Sequence, residues 1–148
     1  MAFTGNYLCT SFKQELLQAE HDFDNGAHTF RIALYTNSAS FTATQTAYTN
    51  TNEIDNTAGS AYVDKGFALT NVTPSVPSGT TAIADFSPDA SWSTASFTAR
   101  GALIFNDSHA SDAAVCVLDF GADKTATIGT FTVAFPDATA AAAIIRIA

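Results

Sequence analysis

The sequence predicts a mainly β protein: one antiparallel β-sandwich or jelly-roll-like domain over residues 1–148, carrying one short N-terminal helix. Three observations lead there. Apolar residues recur with a period of two along most of the chain, as they do on a pleated strand with one buried face. The composition is rich in Thr and Ala and holds 12 Phe but only 14% charged residues, which suits sheets better than a helical bundle. Gly, Pro, Asn and Asp clusters divide the rest into about eight strand-length pieces. A length of 148 residues matches one domain, and no polar stretch splits it.

Residues 1–10 read as an N-terminal arm. Residues 11–20 read as the helix: Ser11 and Gln14 have capping-box spacing, and Phe12, Glu15, Leu16 and Ala19 share a face. The cluster Asp22-Phe-Asp-Asn-Gly26 then supplies turn formers. From Thr29, Phe30, Ile32 and Leu34 alternate with Arg31, Ala33 and Tyr35, a half-buried strand. Residues 36–59 are dense in Thr, Asn and Ser and read as a long surface excursion with a short strand near 41–48. Strand character resumes over 62–72; Pro74, Pro77 and Gly79 mark a turn before a strand at 80–86.

The second half is better patterned. Phe97, Ala99, Gly101, Leu103 and Phe105 alternate with Thr98, Arg100, Ala102 and Ile104 in a long strand with a bend expected at Gly101. Residues 113–120 read as a central strand covered on both faces and 129–135 as another buried strand. The apolar tail 138–148, broken by Arg146, is far shorter than the roughly 20 residues of a membrane helix and reads as a final strand. Asp85-Phe86-x-x-Asp89 with 96–98 echoes Asp119-Phe120-x-x-Asp123 with 130–132, which suggests two stacked strand-turn-strand units.

Six basic residues against 14 acidic ones give a net charge of -8 and a pI near 4.4. That balance opposes attraction to nucleic acid, which depends on Lys and Arg neutralising phosphates. It favours solubility and a neutral or basic protein partner. Cys9 and Cys116 fit no ligand spacing and read as free, buried thiols. The start of the chain lacks the basic and apolar regions of a signal peptide, so classical secretion is not expected.

No catalytic, cofactor-binding or metal-ligating set emerges, and the chain reads as a non-enzyme. His21, His28 and His109 show no HxxxH or HxH pairing. Ser, His and Asp coexist in residues 106–112, but members of a nucleophilic triad come from separated elements, so this stretch reads as a polar hairpin turn. Residues 22–26 and 52–56 place carboxylates as calcium loops do, without the distal bidentate Glu. The pairs Asp85/Asp89 and Asp119/Asp123 read as turn formers, and Trp92 as a core residue before it reads as a sugar platform.

Several segments together resemble a family of small virion structural proteins of tailed bacteriophages, of the kind labelled decoration, cement or tail-fibre proteins. They are the opening Ala2-Phe-Thr with a short helix, Phe30-Arg-Ile-Ala-Leu-Tyr-Thr36, Gly59-Ser-Ala-Tyr62 with Gly66, Ala90-Ser-Trp92, Phe97-Thr-Ala-Arg-Gly-Ala-Leu-Ile-Phe-Asn106, and Val117-Leu-Asp-Phe-Gly121. The resemblance spans most of the chain and rests on strand and turn positions, so it implies a scaffold and a particle setting but no catalytic residue. It implies a homo-oligomer, dimer or trimer, made in the host cytoplasm and bound to the major capsid protein on the capsid surface of the virion, with no nucleic-acid or membrane partner. The expected partner contacts are Phe3 and Tyr7 in the arm and Phe41 and Tyr48 in the long loop, because they lie outside the patterned strands. The alternatives are a tail or fibre adaptor and a carbohydrate-binding module.

Overall fold

The computed structural model describes residues 3–57 and 59–148. They form β1 (Tyr7–Leu8), α1 (Thr10–Leu17), β2 (Phe30–Tyr35), β3 (Phe67–Ala68), β4 (Asn71–Ser78), β5 (Thr81–Phe86), β6 (Ala90–Asn106), β7 (Ala113–Val133) and β8 (Ile145–Ile147). Two antiparallel sheets result, one in the order β1-β7-β6-β2-β3 and one in the order β4-β5-β8. The mainly β, two-sheet architecture with one short helix is the expected one. A single apolar cluster joins the sheets: Phe30 of the larger sheet lies 5.7 Å from Phe86 of the smaller, and Phe23 stacks on Phe30 at 4.3 Å.

The organising element is one long hairpin. Residues 113–120 and 129–135, expected as separate strands, are largely one strand, β7, paired with β6 from Asn106↔Ala113 to Ala90↔Val133. Register shifts absorb the irregular residues; one holds Ile128, exposed and at φ 47°, opposite the Ala95–Ser96 step. Bulges of this kind bend a strand without ending it, which is why turn-like residues at 121–128 misled the reading of the sequence. The same continuity removes the internal repeat: Phe86 ends β5, whereas Phe120 lies inside β7.

Gly101 shows why the hairpin bends where it does. A Cβ there would lie 2.6 Å from the Leu118 carbonyl oxygen and 2.6 Å from the Phe3 ring, and the register shifts between Ala99 and Gly101. The missing side chain leaves a seat for Phe3, which packs edge-on against Phe41 at 5.7 Å. Phe41 in turn meets Tyr35 at 4.6 Å. The long loop thereby covers the second face of β2, and Ala33 and Tyr35 are fully buried where a half-exposed strand was expected.

Other boundaries moved for local reasons. The helix is Thr10–Leu17 and not 11–20, because Cys9 donates its N–H to the Val115 carbonyl and Thr10 to that of Ala43, fixing the entry one residue early. Cys9 is therefore the N-cap and Ser11 is no capping residue; Ala19, at φ 60°, turns the chain away after Gln18. The arm is no free arm: β1 pairs with β7 at Tyr7↔Val117 and Leu8↔Cys116. No strand forms over 41–48, only bridges from Phe41 to Phe3 and from Ala47 to Ala113.

The strand expected over 62–72 shrinks to β3 and the start of β4, since Lys65 and Gly66 take positive φ and give their carbonyls to the Arg31 guanidinium. Pro74 and Pro77 lie within β4, not in a turn, because β4 is an edge strand and its ladder shifts register around both residues. The turn falls at Gly79 instead, at φ 62°.

Candidate functional site

An open groove of about 750 Å³ lies between β1 and the C-terminal segment. Leu118, Phe120, Phe135 and Ile144 supply apolar surface to its lining, and Asn6, Asp119 and Arg146 supply polar groups. A second hollow of about 440 Å³ shares Phe120, Val133 and Ala134 with it, so the two make one trough along β7. β1 and β8, one on each wall, are the edge strands of different sheets, and an edge strand carries a row of backbone groups available for pairing.

The trough holds little chemistry. Asp119 is ion-paired with Arg100 and accepts the Gly121 N–H, and Arg146 donates to the Ala141 carbonyl. Cys116 reaches its floor but is 3% exposed, and burial pushes its thiol well above the ordinary range, so it stays protonated and a poor nucleophile. Cys9 is likewise free and buried, its thiol pushed up to about 12 by desolvation. A groove of mixed apolar and polar lining beside two strand edges suits an extended protein segment.

Of the four residues expected to touch a partner, Tyr7 alone lines this trough, with its hydroxyl within 2.9 Å of Thr4 Oγ1. Phe3 and Phe41 are buried, 3% and 5% exposed, in the plug over Gly101. Tyr48 is half-buried, stacks on Phe105 at 4.7 Å and donates its hydroxyl to Glu53 at 2.5 Å. Trp92 is also buried, against Tyr62, Phe67 and Phe131, so it offers no exposed sugar platform.

Two polar networks fasten the non-sheet segments. In the first, Glu53 takes a hydroxyl hydrogen bond from Tyr48 and a second, at 2.8 Å, from the buried Tyr62, whose oxygen also accepts the Leu34 N–H at 2.8 Å. Burial raises the Glu53 carboxyl above its usual range even though both hydroxyls favour the charged form. Lys65 lies 5.6 Å from the Tyr48 ring and bridges Asp107 and Asp112 at 2.8 and 2.9 Å; those hydrogen bonds raise its pKa.

The second network gathers all three histidines, which sequence spacing had kept apart. The carboxamide of the fully buried Asn106 donates one N–H to His21 Nδ1 and the other to His28 Nδ1, each at 3.0 Å, and its oxygen accepts the Ser108 N–H at 3.1 Å. His21 Nε2 meets Glu15 of α1 at 2.9 Å, and His109 Nε2 meets Glu20 at 2.8 Å. The His21 and His109 rings stack at 5.9 Å. No sequence signal could have revealed this, since the contacts join residues up to 89 positions apart.

Glu20, His109 and Ser111 form a carboxylate-imidazole-hydroxyl chain, but Ser111 sits two residues from His109 on the hairpin turn and caps the same Nδ1 with its own N–H at 3.3 Å. That is how a turn anchors itself. Among the described residues no group of three His, Cys, Asp or Glu side chains is arranged to hold a metal ion. Comparison of the chain with protein-family models, with curated proteins and with solved structures finds no match.

Proposed function

We propose that this chain is a capsid decoration, or cement, protein of a tailed bacteriophage, binding the outside of the head and bridging neighbouring major-capsid subunits as a homo-oligomer. The observation that carries the reading is the open trough along β7, with aromatic and aliphatic side chains in its lining, between the edge strands β1 and β8. A surface of that kind accepts an extended segment of another protein by strand addition, with backbone hydrogen bonds for affinity and apolar pockets for register. The charge-poor, acidic composition and the strand and turn segments that resemble the virion family support the same conclusion. Repetition on a shell then converts a modest contact into tight occupancy.

Quantitative mass spectrometry of purified particles tests this. A copy number comparable to that of the major capsid protein is the expected result; a few dozen copies would assign the chain to a tail or fibre, and absence from particles would end the virion reading. Phe120→Asp and Phe135→Asp, both at half-buried positions in the trough, are expected to lower head occupancy at least about tenfold by placing a charge in an apolar contact. Unchanged occupancy would move the contact to another face.

A further inference from the structure

We propose that Asn106 and its histidines form an acid-sensitive clasp that holds α1 and residues 19–28 to the β6–β7 turn, and that acidification opens it. The argument starts from donors and acceptors. An amide NH₂ group can only donate. Both of its hydrogens are committed, to Nδ1 of His21 and Nδ1 of His28, so both nitrogens are bare lone pairs and each neutral ring carries its proton on Nε2. The Asp22 N–H points at the same His28 Nδ1 at 3.4 Å.

Adding a proton to either Nδ1 sets N–H against N–H. Turning the carboxamide over would present its oxygen to the rings, but it would then aim NH₂ at the Ser108 N–H that the oxygen now accepts. No orientation of Asn106 serves both protonation states, and the side chain is fully buried, so water cannot substitute.

The charged groups around the site come from every element that packs on it. Glu15 from α1 and Glu20 just beyond it favour a charged His21; His109, stacked from the hairpin turn, opposes it, and the ring is otherwise enclosed by Phe12, Phe23 and Phe30. Burial outweighs the carboxylates and lowers the His21 pKa from its ordinary 6.5. The sign follows: with the folded value depressed, the clasp is at full strength above 6.5 and weakens as pH falls below it, because the open form takes the proton first. The helix entry stays tied to Val115 and Ala43 through the Cys9 and Thr10 amides, while Phe12, Leu16 and this network hold the rest of α1 and residues 19–28 to the body, and opening uncovers the faces of Phe12, Phe23 and Phe30.

Hydrogen exchange and histidine NMR on the intact chain test the clasp without any capsid. Amide protection in α1, corrected for intrinsic exchange, is expected to fall about tenfold between pH 7.5 and 5.5, the factor set by a group that titrates near 6.5 only when open. Amides in the centre of β6 and β7 are expected to hold. Long-range proton-nitrogen spectra at pH 7.5 are expected to show the Nε2–H tautomer for both His21 and His28. Asn106→Asp, which places acceptors where the NH₂ stands, is expected to reverse the sign, so that α1 protection rises in acid. An Nδ1–H tautomer at either ring, pH-independent protection of α1 in the unmodified chain, or an Asn106→Asp protein that still loses protection in acid would each overturn the proposal.

Discussion

The two polar networks do the same structural work and respond to acid in opposite ways. The Glu53 latch ties the long loop to β2 through Tyr62 and holds Tyr48 where it stacks on Phe105 of β6, and the Asn106 clasp fastens residues 19–28 and α1 to the hairpin turn through His21 and His28. In the latch the two side-chain links to the carboxylate, beside a backbone hydrogen bond from Lys65, end in hydroxyls, which donate or accept as needed; a proton arriving on Glu53 can itself be donated to a tyrosine oxygen. In the clasp the links end in an amide nitrogen that has no second role. Burial raises the Glu53 carboxyl and lowers the His21 imidazole, so each group resists its charged form, but the neutral form arrives in acid for one and in base for the other.

The largest expected effect separates packing from polar fastening. Phe12 is 1% exposed and is the one fully buried side chain of α1, so Phe12→Ala is expected to cost about 3–5 kcal/mol in urea unfolding. A loss below about 1 kcal/mol would mean that Phe12 packing is not what seats the helix. Tyr62→Phe leaves the Leu34 N–H without its acceptor inside the core and removes one donor from Glu53; about 1–3 kcal/mol is expected.

The pH response sharpens the contrast further. Between pH 7.5 and 5.5 the Lys13 and Gln18 amides of the α1 region should lose protection while Ile54 and Thr36, bonded across the latch, hold or gain it. The sign for Glu53 follows from a folded value above the ordinary 4.5: its folded form takes a proton before its unfolded form does, so stability rises as pH falls toward 4.5. Parallel loss in both regions would show that one global transition governs them. The smallest effect is expected from Glu53→Gln, which keeps an acceptor for one tyrosine, turns an NH₂ toward the other, whose hydroxyl oxygen can accept it, and removes the buried charge; stability at pH 7 should stay within about 1 kcal/mol, with the latch's pH dependence flattened.

Much of the sheet was legible. The period-two alternation of Phe30, Ile32 and Leu34, and of Phe97 to Phe105, located β2 and the inner half of β6, because alternation is a direct consequence of pleat geometry. The prolines of β4 and the 121–128 stretch of β7 were misread for one shared reason. Both are irregular strands whose residues look like turns locally but are held extended by a partner strand, β5 or β6. The trough was legible only as separate apolar residues, since its two walls come from opposite ends of the chain.

The sequence by itself determined that this is a mainly β chain with a short N-terminal helix and an acidic charge balance, because these depend on composition and on neighbours a few residues apart. It did not determine that Phe3 plugs the space above Gly101, that Phe41 and Tyr48 cover the sheet from the long loop, or that three histidines meet at one asparagine. Those are contacts across tens of residues, and the pairing of β6 with β7 sets them. Once a hairpin of that length forms, its register decides which distant side chains share a face, and no local pattern encodes that choice.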